Sequence, residues 1–296
     1  MTAPETPTTT ASSTRKPLDE EIDVHGLTHP GRVRKVNQDH FLLGSLRKRM
    51  EVHLTSLPDV RPLEREDDRL AFLAMIADGV GGGAKGEVAS RLALEQVTQY
   101  VTQSVRSYYG ADAREASFID VLEAAAKQTH TQVLERAAHD SDLRGMATTL
   151  TVFIGVWPWA YVLQVGDSRY YVYREGELLR ITRDQTMAQD LVDQGVLTRT
   201  DAFNSRLANV LSSAIGGPQT APVVTRLQSD WRNVHLLCSD GLTKHVSDER
   251  IKQRLATMTS AKQVCEELLQ DALDDGGSDN VTIIVGRAVR KGDGSR

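Results

Sequence analysis

The feature that most constrains the fold is a block of alternating residues between Leu150 and Ile181. At its start, Leu150, Val152 and Ile154 alternate with other residues, and three further short apolar runs follow with turn residues between them. Side chains of a β-strand point alternately to opposite faces of its sheet. The pattern therefore predicts a meander of antiparallel strands.

Helical spacing precedes this block and returns after it. Apolar residues recur every three or four positions in three segments, 89–101, 118–125 and 264–272, and Ser117 is the predicted N-cap of the second helix. Short apolar strands are predicted at 234–238 and 281–285. Because helices and strands are segregated rather than strictly alternating, the chain is predicted to be an α+β protein with antiparallel sheets covered by helices.

The ends of the chain differ in composition from its middle. Residues 1–18 are rich in Thr, Ser, Pro and Ala, and such a segment cannot bury enough apolar surface to offset the entropy of ordering it. Residues 291–296 are similar. We expect two disordered tails around one folded domain, residues 19–290 of the 296-residue chain.

Charge and hydropathy exclude two kinds of partner. The formal net charge of -5 lacks the basic excess with which nucleic-acid binders neutralise phosphates. The longest apolar candidate for a membrane span, residues 70–77, is far shorter than the roughly 20 residues required. The first residues have no apolar stretch of the kind found in a secretory signal. We therefore expect a cytoplasmic protein that binds neither nucleic acid nor membranes.

The two cysteines carry little functional information. Cys238 and Cys265 each lie in an apolar segment, and their spacing matches no metal-binding motif. They are predicted to be buried, reduced thiols.

Acidic residues at the predicted strand ends are the main functional signal. Four aspartates lie where a strand ends or begins, and most have an adjacent glycine: Asp78, Asp167, Asp240 and Asp279. A single Asp-Gly pair is most often a turn, as is expected for Asp275-Gly276. Four such sites can instead converge on one edge of a sheet. Clustered carboxylates repel one another, so they indicate a bound cation, and oxygen ligands without a Cys/His cluster favour Mg or Mn.

A further segment adds a positive charge. Arg34 and Asp39 lie just before a predicted strand at 41–43, and a planar guanidinium can bind a phosphate through two hydrogen bonds. On its own, an arginine such as Arg34 would more often be a solvated surface residue.

These motifs, in this order and with these separations, resemble the PPM family of phosphatases, the type 2C group, and especially its bacterial members. They are Arg34-x-x-Asn37-Gln38-Asp39, Asp78-Gly79-x-Gly81-Gly82, Gly166-Asp167-Ser168-Arg169, Ser239-Asp240-Gly241 and Asp279-Asn280. The resemblance covers residues 22–287. It implies a four-layer α-β-β-α sandwich of two antiparallel sheets flanked by helix pairs, with a two-metal site at one end.

The resemblance also implies a role for each site residue. Asp78 would bridge two Mg or Mn ions, the Gly79 carbonyl would bind one of them, and Asp240 and Asp279 would hold the other. Asp39 would support the site directly or through water, Arg34 would bind the substrate phosphate, and Asp167 could hold a third ion. The polar stretch between residues 183 and 209 would form a flap beside the site.

The function implied is hydrolysis of phosphoserine and phosphothreonine in proteins, by a hydroxide bridging the two ions. The partners would be phosphoproteins, the targets of a cognate kinase. Three positions depart from the family pattern: Gln38 replaces a common glutamate, Val80 a histidine of several eukaryotic relatives, and Lys244 an aspartate that helps some relatives to bind a third ion. Two alternatives stay open, a phosphatase for small phosphoesters and a pseudoenzyme that binds phosphoproteins without hydrolysis.

Overall fold

The computed structural model describes residues 15–48, 68–82, 84–108 and 115–290. The strands are β1 (Ile22–His29), β2 (Asp39–Lys48), β3 (Asp68–Val80), β4 (Ala147–Thr148), β5 (Leu150–Val156), β6 (Trp159–Val165), β7 (Arg169–Arg174), β8 (Glu177–Arg180), β9 (Val223–Gln228), β10 (Val234–Cys238) and β11 (Val281–Ala288). The α-helices are α1 (Ala84–Tyr108), α2 (Glu115–His139), α3 (Met187–Asp193), α4 (Arg199–Phe203), α5 (Asp240–Thr243), α6 (Asp248–Ala256) and α7 (Ala261–Asp274). Short 3-10 helices lie at Asp19–Glu21, Ser141–Leu143 and Arg206–Asn209.

The strands form two antiparallel sheets, which confirms the predicted fold class. The first sheet has the order β1-β11-β10-β7-β8, and the second has the order β2-β3-β5-β6-β9 with β4 paired to β3. The predicted meander is divided between them, because β5 and β6 lie in the second sheet whereas β7 and β8 lie in the first. The chain changes sheets at Gly166, whose φ of 102° a residue with a Cβ rarely adopts.

Alternation along the central strands builds three apolar layers. In β3, Leu73 and Met75 pack in the same cluster as the helices on the outside of the second sheet, whereas Ala74 and Ile76 pack between the sheets. In β11, Ile284 likewise packs between the sheets, whereas Ile283 and Val285, before and after it in the sequence, pack with the helices on the outside of the first sheet. Because both faces of these strands are buried, each sheet carries a helical layer on its outer face.

The helices cover the two outer faces. Helices α1 and α2 bury Ala93, Val97 and Leu122 against the second sheet, and α7 buries Val264 and Leu268 against the first. Ser117, the predicted cap, lies inside helix α2, although the apolar face of the helix is the predicted one. Cys238 and Cys265 are buried free thiols, as predicted.

The predicted N-terminal tail ends earlier than residue 18. Arg15 forms an ion pair with Glu21, Pro17 is buried, and the indole of Trp231 donates a hydrogen bond to the Arg15 carbonyl oxygen. These tertiary contacts hold a segment whose composition predicts disorder. The rest of this tail and the C-terminal tail lie outside the described residues. Within the described part of the chain, no helix is both long and apolar enough to cross a membrane.

Candidate metal centre

Strand ends from both sheets meet at one edge of the sandwich. Asp39 opens β2 and lies directly opposite Asp78, near the end of β3, in the second sheet. Ser239 directly follows β10 of the first sheet, and its hydroxyl donates a hydrogen bond of 2.8 Å to Asp39 Oδ2. Thr282 of β11 donates another, of 2.7 Å, to the same oxygen. Asp39 therefore joins the two sheets where the predicted acidic residues lie.

Asp39 and Asp78 are crowded carboxylates with little access to water. Burial raises the pKa of Asp39 to about 6, although hydrogen bonds from Thr282 and Ser239 act in the opposite direction. Loss of solvent also raises the pKa of Asp78 well above its usual value, and the negative charges of Asp39 and Asp240 add to the effect. Among the described residues, Asp39 Oδ1 is a buried oxygen that receives no hydrogen bond. Such an arrangement is stabilised by a cation.

Two threonines that the sequence motifs did not include fix the backbone of Asp78. The Asp78 amide donates a hydrogen bond to Thr149 Oγ1 (3.0 Å), and the Thr148 hydroxyl donates one to the Asp78 carbonyl oxygen (2.8 Å). The adjacent Gly79 has no space for a side chain, since a Cβ there would lie 2.2 Å from the carbonyl oxygen of Gly86 at the start of α1. The backbone of this motif is thus held tightly on both sides.

Asp240 and Asp279 are paired with basic residues. Arg34 contacts Asp279 through two nitrogens, Nε at 2.8 Å from Oδ1 and Nη2 at 3.0 Å from Oδ2. Lys244 Nζ lies 2.6 Å from Asp240 Oδ2 and 2.8 Å from Asp279 Oδ2. Burial alone would raise the pKa of Asp279, but hydrogen bonds from Lys244 and Arg34 outweigh it and leave that pKa lowered.

Asn280 holds the segment that carries Arg34. Its side-chain oxygen accepts a hydrogen bond of 2.8 Å from the Gln38 amide, and its side-chain nitrogen donates bonds of 3.0 Å to the carbonyl oxygens of Pro30 and Val36. Gly241 is required at the same junction, because a Cβ there would lie 1.9 Å from the Asn280 carbonyl oxygen.

Asp167 lies in the turn between β6 and β7, beside the other carboxylates. Burial raises its pKa to about 8, with further contributions from the charges of Asp240 and Asp184. Asp167, Asp240 and Lys244 line a cavity of about 830 Å³, whose other wall includes Arg183 and residues of α3 and α4. The stretch expected to form a flap therefore borders the acidic cluster.

The donor chemistry of the cluster fits a hard divalent ion, although its carboxylates do not form a closed set of ligands. Carboxylate and backbone carbonyl oxygens are the ligands that Mg and Mn prefer. Across residues 15–48, 68–82, 84–108 and 115–290, however, no three His, Cys, Asp or Glu side chains converge tightly enough to form a ready ligand group. Arg34 contacts Asp279, and Lys244 contacts both Asp240 and Asp279, so these two cations share the carboxylates that would hold the ions.

A four-layer α-β-β-α sandwich with buried carboxylates at one end of its two sheets defines a recognisable class of α+β proteins. The sequence profile described as Protein phosphatase 2C matches residues 63–276. The chain belongs to the protein phosphatase 2C family, which confirms the resemblance found in the sequence.

Named relatives agree with this assignment. The chain is 34% identical over 219 residues to the serine/threonine protein phosphatase PstP of Mycobacterium tuberculosis, a match that covers 74% of this chain and 41% of PstP. It thus spans about two fifths of the length of that relative. It is 28% identical over 214 residues to the serine/threonine phosphatase stp of Listeria welshimeri, covering 72% of this chain and 83% of stp.

A solved structure shows the same fold. The crystal structure of the catalytic domain of PstP in complex with two manganese ions superposes with a TM-score of 0.71 at 30% identity. The superposition covers 91% of this chain and 99% of that one.

Proposed function

We propose that the chain is a protein serine/threonine phosphatase that requires Mg or Mn. The observation that carries this proposal is the meeting of Asp39, Asp78, Asp240 and Asp279, from both sheets, at the edge where Arg34 also lies. Membership of the family and the names of the relatives support it. The substrates would be proteins phosphorylated on serine or threonine by a kinase, and the cytoplasmic location stays a prediction.

Asp78, the Gly79 carbonyl, Asp240 and Asp279 are the residues that would hold two ions, with Asp39 in support. Bound Mg or Mn would supply Lewis acidity, which lowers the pKa of a nearby water and neutralises negative charge on a phosphate. The buried Asp39 Oδ1, which receives no hydrogen bond from any residue that the structure describes, supports this assignment. So does the manganese-bound structural relative.

Arg34 would bind the phosphate of the substrate. Its side chain is 54% exposed, and two of its nitrogens are engaged by Asp279, which orients the guanidinium and leaves other N–H donors available. Hydrogen bonds to Asp279 raise the Arg34 pKa, so the group stays positively charged at all physiological pH values. A fixed guanidinium stabilises the charge on the phosphoryl oxygens during transfer.

The test is hydrolysis of a phosphothreonine peptide and of p-nitrophenyl phosphate with Mn, with and without chelator. We expect chelator to abolish both activities and Asp240→Asn to lower kcat/KM by at least about 100-fold, because an electrostatic contribution to the transition state is lost. Asp142→Asn is the matched control, since Asp142 has an exposed side chain on a 3-10 helix and is not one of the clustered carboxylates.

Two results would contradict the proposal. Activity that survives chelation would exclude a metal requirement, and full activity of Asp240→Asn would remove Asp240 from the site. Turnover of p-nitrophenyl phosphate without turnover of phosphopeptides would instead favour small phosphoesters as substrates. Binding of phosphopeptide without any turnover would identify a pseudoenzyme.

A further inference from the structure

The ammonium group of Lys244 lies inside the acidic cluster rather than at its margin. It contacts Asp240 at 2.6 Å and Asp279 at 2.8 Å, and its side chain is only 29% exposed. Both carboxylates are shielded as well, with side-chain exposures of 19% and 20%. An ion pair this sheltered is less screened by salt than a pair on the open surface.

The backbone fixes Lys244 in this position. Its amide donates a hydrogen bond of 2.8 Å to the carbonyl oxygen of Asp240, so the two residues lie one helical turn apart and on the same side of α5. Leu242 is fully buried against the first sheet and anchors that short helix from beneath. The ammonium is therefore brought back over the carboxylate by the local structure.

Lys244 also changes the charge available to metal ions. The cluster contains five carboxylates, Asp39, Asp78, Asp167, Asp240 and Asp279, and two fixed cations, Arg34 and Lys244. Asp184, whose charge also acts on Asp167, is paired with Arg169 and adds no net charge. If the seven groups of the cluster are all ionised, three net negative charges remain, and two divalent ions would bring their sum to one net positive charge. A third divalent ion would have to bind to a cluster that is already positive.

Asp167 lies close to Lys244. The two residues line the same cavity, and the positive charge of Lys244 acts to lower the Asp167 pKa, although burial and the charges of Asp240 and Asp184 raise it more. A lysine ammonium has three donors, of which Asp240 and Asp279 use two. A divalent ion on Asp167 would lie close to this ammonium and be repelled by it.

We propose that Lys244 is a resident cation that takes the place of a divalent ion on the Asp167 side of the cluster. The chain then binds two divalent ions and not three, and Asp167 is not a metal ligand. This inference rests on the proposed function, because it concerns the metal site of that enzyme.

The test is the number of manganese ions bound at equilibrium, measured by dialysis with elemental analysis at free Mn up to about 1 mM, the range of weak protein sites for hard cations. The variants are Lys244→Asp, which reverses the charge, and Lys244→Gln, which removes the charge but keeps a long polar side chain. Lys262→Asp makes the same charge change at a side chain of α7 that is 66% exposed, and serves as the control. Thermal unfolding checks that each variant is folded.

We expect two ions in the wild type and in Lys262→Asp, and a third, weaker ion in Lys244→Asp and Lys244→Gln. Addition of Asp167→Asn to either Lys244 variant should return the count to two. Three ions in the wild type, or two in both folded Lys244 variants, would overturn this inference and leave the proposed phosphatase intact. A wild type that binds no manganese would overturn both.

Discussion

At the scale of single residues, the negative charges of the carboxylates at the acidic edge are partly offset by two cations. Desolvation and mutual repulsion raise the pKa values of Asp39 and Asp78, whereas Arg34 and Lys244 keep Asp279 ionised. A substitution here changes both a contact and the charge of its neighbours, so the effects of single variants are not expected to be additive.

Arg34→Ala tests the role assigned to Arg34. A hydrogen bond to a charged group contributes about 1.5 to 3 kcal/mol, so its loss should raise KM for a phosphopeptide by roughly 10-fold or more. Steady-state kinetics at saturating Mn provide the measurement. Arg32→Ala is the matched control, because Arg32 is an exposed arginine of the same segment that pairs with Asp274. If the two variants had the same KM as the wild type, Arg34 would not bind the phosphate.

At the scale of elements, the site depends on loops held to strand ends. The segment between β1 and β2 carries Arg34, and the side chain of Asn280, at the start of β11, fastens it through three hydrogen bonds. The chain has no helix or strand in that segment, so these bonds take the place of regular secondary structure in positioning Arg34.

Asn280→Ala is therefore expected to act on both stability and binding. It leaves the Gln38 amide and the carbonyl oxygens of Pro30 and Val36 without this partner, which should lower the free energy of unfolding by about 2 to 3 kcal/mol. KM for phosphopeptide should rise as well, because the Arg34 segment loosens. Urea denaturation and kinetics measure the two effects, with exposed Asn204→Ala as control. A loss of stability with an unchanged KM would mean that Asn280 has no role in positioning Arg34.

At the scale of the whole molecule, a titratable pair lies in the layer between the two sheets. His235 of β10 contacts the Tyr170 hydroxyl at 2.6 Å, and its ring packs at a tilt against that of Phe153. Burial lowers the pKa of His235 to about 4. This group lies in the interior that joins the sheets, so its protonation acts on the stability of the whole sandwich.

The sign of the effect follows from linkage. In the unfolded chain His235 binds a proton near pH 6.5, whereas in the folded protein it does so only near pH 4. Between these values the unfolded state holds more protons, so stability falls as the pH is lowered from about 6.5 to about 4. His235→Gln should flatten this dependence while it keeps a polar partner for Tyr170. Urea midpoints from pH 4 to 7 test it, and an unchanged slope in the variant would exclude His235 as the cause.

Patterns in the sequence alone were enough to predict the main helices and strands and the fold class. Alternation along the strands and helical spacing in α1, α2 and α7 are local properties that show which face of each element is buried. They were enough to predict the layered fold because each buried face must pack against another layer. The motifs also identified the aspartates that meet at the edge of the sandwich. Local patterns were less reliable at the ends of elements and of the domain. Helix α2 begins before the predicted cap Ser117. Residues 15–18 are held by tertiary contacts that cannot be predicted from composition.

How the chain divides between the sheets, and which groups surround the carboxylates, is set by tertiary packing. The neighbours of β6 and β7 in their sheets, β9 and β10, come from later in the chain. The threonines that bind the Asp78 backbone and the pairing of Lys244 with Asp279 also join residues far apart in sequence. The physical reason is that periodicity reports which face of an element is buried. Electrostatic and hydrogen-bond partners across a site are fixed only when the separate layers pack together.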